Sequence, residues 1–181
     1  IKKYFLEKKG DNQLLTAIQD YFFKKGFPSF NWTEYCNELF ANKNNLTKTK
    51  PTNKATLNKE KGIEAFKYLG KADIGQSIVI QNEIILGLEA AEGTDELIKR
   101  CYKYKKKGDD GILIKLSKYN QNYLLDIPTI GLETIKLLKK YHYEGVYLEL
   151  NKCLILNKDK VISYADSNNI FISTINKIDQ N

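Results

Sequence analysis

The chain has 181 residues, is 42% hydrophobic and carries a net charge of +7, with 29 basic side chains that are all lysine except Arg100. That length and apolar content suit one medium domain, or one domain with part of another, and suffice for a real core. Dispersed lysines, and aromatics that do not pattern with them, argue against a nucleic-acid partner, because such sites favour bidentate arginine and stacked rings.

The densest basic run is Lys103-Tyr104-Lys105-Lys106-Lys107. Two readings of the lysines compete: a solvated surface, or attraction to phosphates or to an anionic membrane face. Cys36, Cys101 and Cys153 are widely spaced, and His142 is the one histidine. That argues against structural zinc and a disulfide framework, and points to reduced thiols in the cytoplasm. No apolar run approaches the ~20 residues that span a bilayer. With Ile1 first and no Met anywhere, the chain is expected to lack an N-terminal part.

Residues 1–42 read as helix, short strand and helix. Asp11 and Asn12 can cap a helix carrying Leu14, Leu15, Ile18, Tyr21 and Phe22, which Gly26 would end. Phe27 to Phe30 is expected as a strand, and Trp32, Tyr35, Leu39 and Phe40 as a second helix. These elements are too few to close a core and read as the tail of a truncated α/β domain. Residues 43–57 are polar and basic, a linker by composition. Residues 58–181 then form the main domain. Ile63, Phe66 and Leu69 mark a helix closed by Gly70, and a hairpin around Asn82 joins Gln76–Gln81 to Ile84–Glu89. A helix from Thr94 to about Tyr104 precedes a strand at Ile112–Leu116. Thr129 is placed to cap a helix over Ile130–His142. Val146–Leu150 and Cys153–Leu156 are expected to pair, followed by a helix at Asp159–Ser167 and a strand at Ile170–Ile175. The fold class is α/β, with α+β as the open alternative: a mixed sheet flanked by helices.

Four clusters can carry chemistry. Asp73 to Ser77 enters the first strand of the main domain. Glu89 to Asp95 leads from a strand into a helix; Gly93 permits close approach and Thr94 can cap, which leaves backbone N–H groups for an anion. Glu92 and Asp95 repel bare phosphate unless a divalent cation lies between; their structural alternative is helix-dipole complementation. Lys115 and Lys118 can reach one anionic ligand from a strand end, or be ordinary surface lysines. Gln76 and Gln121 can orient a water or bind a sugar hydroxyl. Asp126, held stiff one residue before Ile127-Pro128, suits phosphate or metal chemistry, or is a solvated acid at a strand–turn–helix junction. No dinucleotide or P-loop glycine motif is visible.

In this order and spacing the clusters resemble the C-terminal domain of the LpxI-type UDP-2,3-diacylglucosamine pyrophosphatases. The matching stretches are Leu69-Gly70 with Asp73-Ile74-Gly75-Gln76-Ser77, then Glu89 with Glu92-Gly93-Thr94-Asp95. Next come Ile112 to Lys115 with Lys118 and Gln121, Asp126 with Pro128-Thr129-Ile130-Gly131, and Ala165-Asp166 with Ile170-Phe171. The resemblance runs from about Leu57 to Ile172, and more weakly over residues 10–40. It implies a two-domain cytoplasmic hydrolase of lipid A biosynthesis that splits its acylated nucleotide-sugar substrate into UMP and 2,3-diacylglucosamine 1-phosphate (lipid X) with Mg²⁺. It implies Asp126 as catalytic, and Asp126, Glu92 and Asp95 as metal ligands. Substrate would be bound by Gly75, Gln76, Gly93, Thr94, Lys115, Lys118, Gln121 and Thr129. Asn122 and Leu124 stand where the family has an acid and an arginine, which keeps a non-catalytic nucleotide-sugar or acylated-sugar binding protein as the alternative. Oligomeric state is left open.

Overall fold

The structure, a computed structural model, describes residues 11–69, 75–117 and 126–176. Helix α1 (Asp11–Lys24) ends where Gly26 takes φ +86°, as its position predicts. The capping side chains expected at its start, and Gly70 at the end of the next helix, lie outside the described ones. Residues 27–30 form no strand. Pro28 removes a ladder donor, and Phe27 and Phe30 stay 66% and 68% exposed. The expected second helix is two short 3-10 turns, Trp32–Tyr35 and Asn37–Leu39, broken at Cys36. Trp32 stacks on Phe40, whose backbone bridges to Leu154.

The stretch that composition marks as a linker over residues 43–57 is attached along its length. Its backbone runs along the outer edge of the last strand: the Leu46 amide donates to the Ile172 carbonyl at 2.9 Å, and the Thr174 amide donates to the Asn44 carbonyl at 3.0 Å. The Ile172 amide donates to the Thr47 hydroxyl, and the Ser173 hydroxyl to the Asn44 carbonyl. Short polar side chains supply what an otherwise open strand edge needs, so their composition mimics that of a loop. Asn53–Leu57 already belong to helix α2 (Asn53–Leu69), capped by the Thr52 hydroxyl, which accepts from the Ala55 amide. Glu144 fixes that cap by accepting from the Thr52 amide and hydroxyl at 2.7 and 2.9 Å.

The main sheet has the order β2-β1-β3-β5-β7. Its strands are β1 (Ser77–Gln81), β2 (Ile84–Leu88), β3 (Ile112–Lys115), β5 (Gly145–Glu149) and β7 (Phe171–Ile175). The hairpin β1–β2 is as expected, turning through Asn82 and Glu83 at positive φ. β1 runs antiparallel to β3, whereas β3, β5 and β7 are parallel. This is the expected mixed sheet flanked by helices.

Helix α3 (Thr94–Cys101, continued as a 3-10 turn to Tyr104) connects β2 to β3. Helix α4 (Leu132–Lys140) precedes β5, and helix α5 (Lys158–Ser167) precedes β7. Strand alternation sorts the core into two layers. Ile78, Ile80, Ile112, Ile114 and Phe171 pack under α2, where Gly62 allows close approach: a Cβ there would lie 2.2 Å from Ile114 Cδ1. Val79, Leu113, Val146, Leu148 and Ile172 face α3, α4 and α5 with Leu97, Ile98, Ile135, Leu138 and Val161.

Two further expectations are corrected. Residues 146–150 and 153–156 do not pair with each other. β5 is flanked on both sides by β3 and β7, while β6 (Leu154–Ile155) pairs in parallel with β4 (Thr129–Ile130) in a separate two-stranded sheet. An apolar run buried on both faces is the signature of a central parallel strand, and by local pattern alone it is indistinguishable from half of a hairpin. Thr129 is thus a strand residue, its hydroxyl donates to the Ile127 carbonyl, and Gly131 takes the N-cap position of α4.

Cys101 and Cys153 are fully buried, and burial pushes their thiols up to about 11 and about 12. Both therefore stay protonated at pH ~8, where a thiolate-directed reagent needs the anion. In the folded protein such a reagent is expected to label the half-exposed Cys36 first, and Cys101 and Cys153 only after denaturant is added. Peptide mapping of the label checks this; native labelling of Cys153 at the rate of Cys36 would contradict it.

Candidate functional site

The parallel strands put their carboxyl ends on one edge of the sheet, and the antiparallel hairpin adds the start of β1 and the end of β2. Register places Ser77 opposite Lys115, Lys115 opposite Leu148, and Glu149 opposite Ile175. Open α/β sheets bind ligands outside such an edge.

Lys115 and Ser77 point to the helical face on which α3 begins. There the Lys115 ammonium donates to the Thr94 hydroxyl at 2.7 Å, and Thr94 donates to Glu89 Oε1 at 2.9 Å. The Ser77 hydroxyl lies 3.2 Å from that of Thr94 and accepts from Lys115 at 3.4 Å. Glu89 Oε2 is 3.8 Å from the Lys115 nitrogen and is buried without a hydrogen-bond donor among the described residues. The side chains of Lys115 and Glu89 are only 6% and 12% exposed. Lys115 is thus not a surface lysine but one half of an interior ion pair bridged by a hydroxyl.

Thr94 does not cap α3. Gly93 holds the N-cap position at φ +80°, Thr94 is the first helical residue, and its hydroxyl turns back to Glu89. Gly75 sits at φ +47°, and a Cβ there would lie 2.0 Å from the Glu89 carbonyl oxygen. Gly75→Ala is expected to cost at least ~1 kcal/mol, because neither the conformation nor the space admits a side chain. A urea titration measures this; an unchanged midpoint would contradict the close packing of Gly75 on Glu89.

Gln76 is next to Ser77, and its side-chain amide donates to Asp126 Oδ2 at 3.4 Å. The Leu116 amide donates to the Gln76 carbonyl, which ties this residue to the end of β3. Asp126 therefore stands at the same edge as the Lys115 pair. The other two expected metal ligands have protein partners of their own. Glu92 accepts from Arg100 Nε at 2.8 Å and from the Ala90 amide at 3.2 Å. Backbone amide donors and the Arg100 guanidinium hold its carboxyl below the usual range. Asp95 accepts from the Thr134 hydroxyl at 3.0 Å, joining α3 to α4. Among the described residues no three His, Cys, Asp or Glu side chains gather as a metal site. Lys118 and Gln121 lie outside the described residues.

Sequence reasoning did not put Ser77, Glu89 or Glu149 among the site residues. Glu149, 4% exposed at the end of β5, accepts from both the amide and the hydroxyl of Ser117 at 2.7 and 2.5 Å. It pins the chain as it leaves β3. Glu89 and Ser77 lie inside two of the four clusters; the hairpin brings them together, and the pairing of β1 with β3 sets them beside Lys115. Glu149 had no local motif and is visible only through the parallel pairing of β3 with β5.

With a mixed five-stranded sheet, helices on both faces and a polar carboxyl-end edge, residues 42–173 match the family described as the LpxI C-terminal domain, and the chain belongs to that family. The match includes the polar stretch along β7. Over 171 residues the chain is 29% identical to the UDP-2,3-diacylglucosamine pyrophosphatase LpxI of Caulobacter vibrioides, covering 91% of this chain and 61% of that relative. The chain thus spans about three fifths of the length of the curated relative it matches. Among the described residues no helix is long and apolar enough to cross a membrane.

Proposed function

We propose that the protein hydrolyses the pyrophosphate bond of UDP-2,3-diacylglucosamine, giving UMP and 2,3-diacylglucosamine 1-phosphate in lipid A biosynthesis. The observation that carries this reading is Asp126, held by Gln76 at the carboxyl-end edge of a sheet that belongs to the LpxI family. Water adds across the anhydride: one phosphorus–oxygen bond forms to the water oxygen as the bridging one breaks, and the water's protons pass to solvent and to the leaving phosphate.

Acids outnumber cations here among the described residues: Lys115 lies against Glu89 and Arg100 against Glu92, while Asp126, Asp95 and Glu149 accept from Gln76, Thr134 and Ser117. A diphosphate brought here meets net repulsion unless a divalent cation accompanies it. Mg²⁺ takes one or two carboxylates and completes its shell with waters and phosphate oxygens, so it needs no three-carboxylate cage. Asp126 fits that role, with Asp95 or Glu92 as the second carboxylate. The ion would neutralise charge developing on the phosphate oxygens. Gln76 fixes the Asp126 carboxylate, and Arg100 with Glu92 stiffens the turn into α3. The net charge of +7 favours peripheral association with an anionic inner-membrane face, where an acylated substrate resides.

The test is release of UMP from UDP-2,3-diacylglucosamine with Mg²⁺ and with chelator. Mg²⁺-dependent release is expected. Saturable binding of the intact substrate with no UMP under either condition would replace this reading with a binding protein.

A further inference from the structure

The Lys115–Glu89 pair has a feature that a purely structural pair would lack. An ammonium has three protons. Here one goes to Thr94 at 2.7 Å and one to Ser77 at 3.4 Å, while Glu89 Oε2 remains buried, 3.8 Å away and without a donor among the described residues. A buried carboxylate oxygen without a donor calls for an explanation. The pair is electrostatically neutral yet incompletely bonded, and Thr94, its bridge, is half-exposed where α3 meets the edge.

We propose that Glu89 is an internal counter-ion that competes with a ligand phosphate for Lys115, a role that rests on reading this edge as a phosphate site. With no ligand, Glu89 compensates the ammonium. When a diphosphate binds, the ammonium divides its charge between Glu89 and a phosphate oxygen. When the products form, each carries a single phosphate group, and Glu89 reclaims the ammonium. Glu89 therefore weakens ground-state affinity for monophosphates and speeds their departure, which is uniform binding energy withheld from the product state. The chemistry recognised is a terminal phosphate group, and UMP and inorganic phosphate serve as probes.

The sign of the effect separates this role from a structural one. Glu89→Gln keeps an oxygen to accept from Thr94 and removes the competing charge. It is expected to tighten UMP and inorganic phosphate by about tenfold, a modest share of one close charge interaction at a surface-like dielectric. A merely structural glutamate predicts weaker binding or none. Where Glu89→Gln fails to fold around an uncompensated lysine, Glu89→Asp retains the charge one methylene further from Thr94, and a smaller tightening is expected. Calorimetric titration of the wild type and both variants with UMP reads this out. Affinity unchanged or lowered in a folded variant overturns the counter-ion role while leaving the hydrolase reading in place. A wild type that releases no UMP from UDP-2,3-diacylglucosamine, yet binds UMP more tightly once Glu89 is Gln, overturns the hydrolase reading and keeps the counter-ion.

Discussion

Lys115→Met is expected to lower the unfolding free energy by about 3–5 kcal/mol, the usual cost of removing one member of a buried ion pair. The cost comes from what is left behind. Glu89 Oε2 already has no hydrogen-bond donor among the described residues, and Lys115 is the cation beside it. Without the ammonium the carboxylate keeps, among the described residues, the Thr94 hydroxyl alone, and an isolated buried charge is far more costly than the pair. Methionine conserves the length of the stem, so the loss reports charge rather than a cavity. Adding Glu89→Gln to Lys115→Met is expected to restore most of the stability, because the orphaned charge then disappears too. A urea titration of the two single variants and the double variant measures the coupling. A loss below about 1 kcal/mol for Lys115→Met, in the range of an exposed pair, would contradict the interior pair.

Asp126→Asn is expected to lower UMP release at least ~100-fold while leaving stability within about 0.5 kcal/mol of wild type. The substitution is isosteric, Asp126 is half-exposed, and its described contact is a long 3.4 Å hydrogen bond from Gln76, so little folding energy rests on the charge. The full effect then falls on the reaction. A carboxylate that holds a divalent cation or orients the water acts where charge develops, and removing one such group costs about 2.7–4 kcal/mol of barrier.

How much of this was legible in the sequence depended on where the determining contact lay. The hairpin β1–β2 was readable because its signal is local: two β-branched runs around Asn82. Helices α3 and α4 were readable from their apolar spacing to within two or three residues, and the helix expected at Asp159–Ser167 is α5. The pairing of β5 was not. Its apolar run meets partners more than twenty residues away on either side, and nothing local distinguishes that from a hairpin strand. The attachment of the stretch before α2 to β7 was not readable either, for the opposite reason. Its polar residues serve the edge of β7, and hydrogen-bonding an edge has the same composition as hydrating a loop. At the site, Asp126 and the run from Glu89 to Asp95 were found as motifs, but their partners were not. Whether Thr94 caps a helix or bridges Lys115 to Glu89 is decided by the register of β1 on β3, which sets Ser77 and Lys115 side by side.

The proposed function places Asp126 at work on the edge built by β1, β3 and α3, splitting a diphosphate. It is tested most directly by UMP release from UDP-2,3-diacylglucosamine in Mg²⁺, with wild type and Asp126→Asn at matched concentration and verified folding. Rapid release by the wild type, reduced at least ~100-fold in the variant, is the predicted result. Equal release by the two proteins would contradict it.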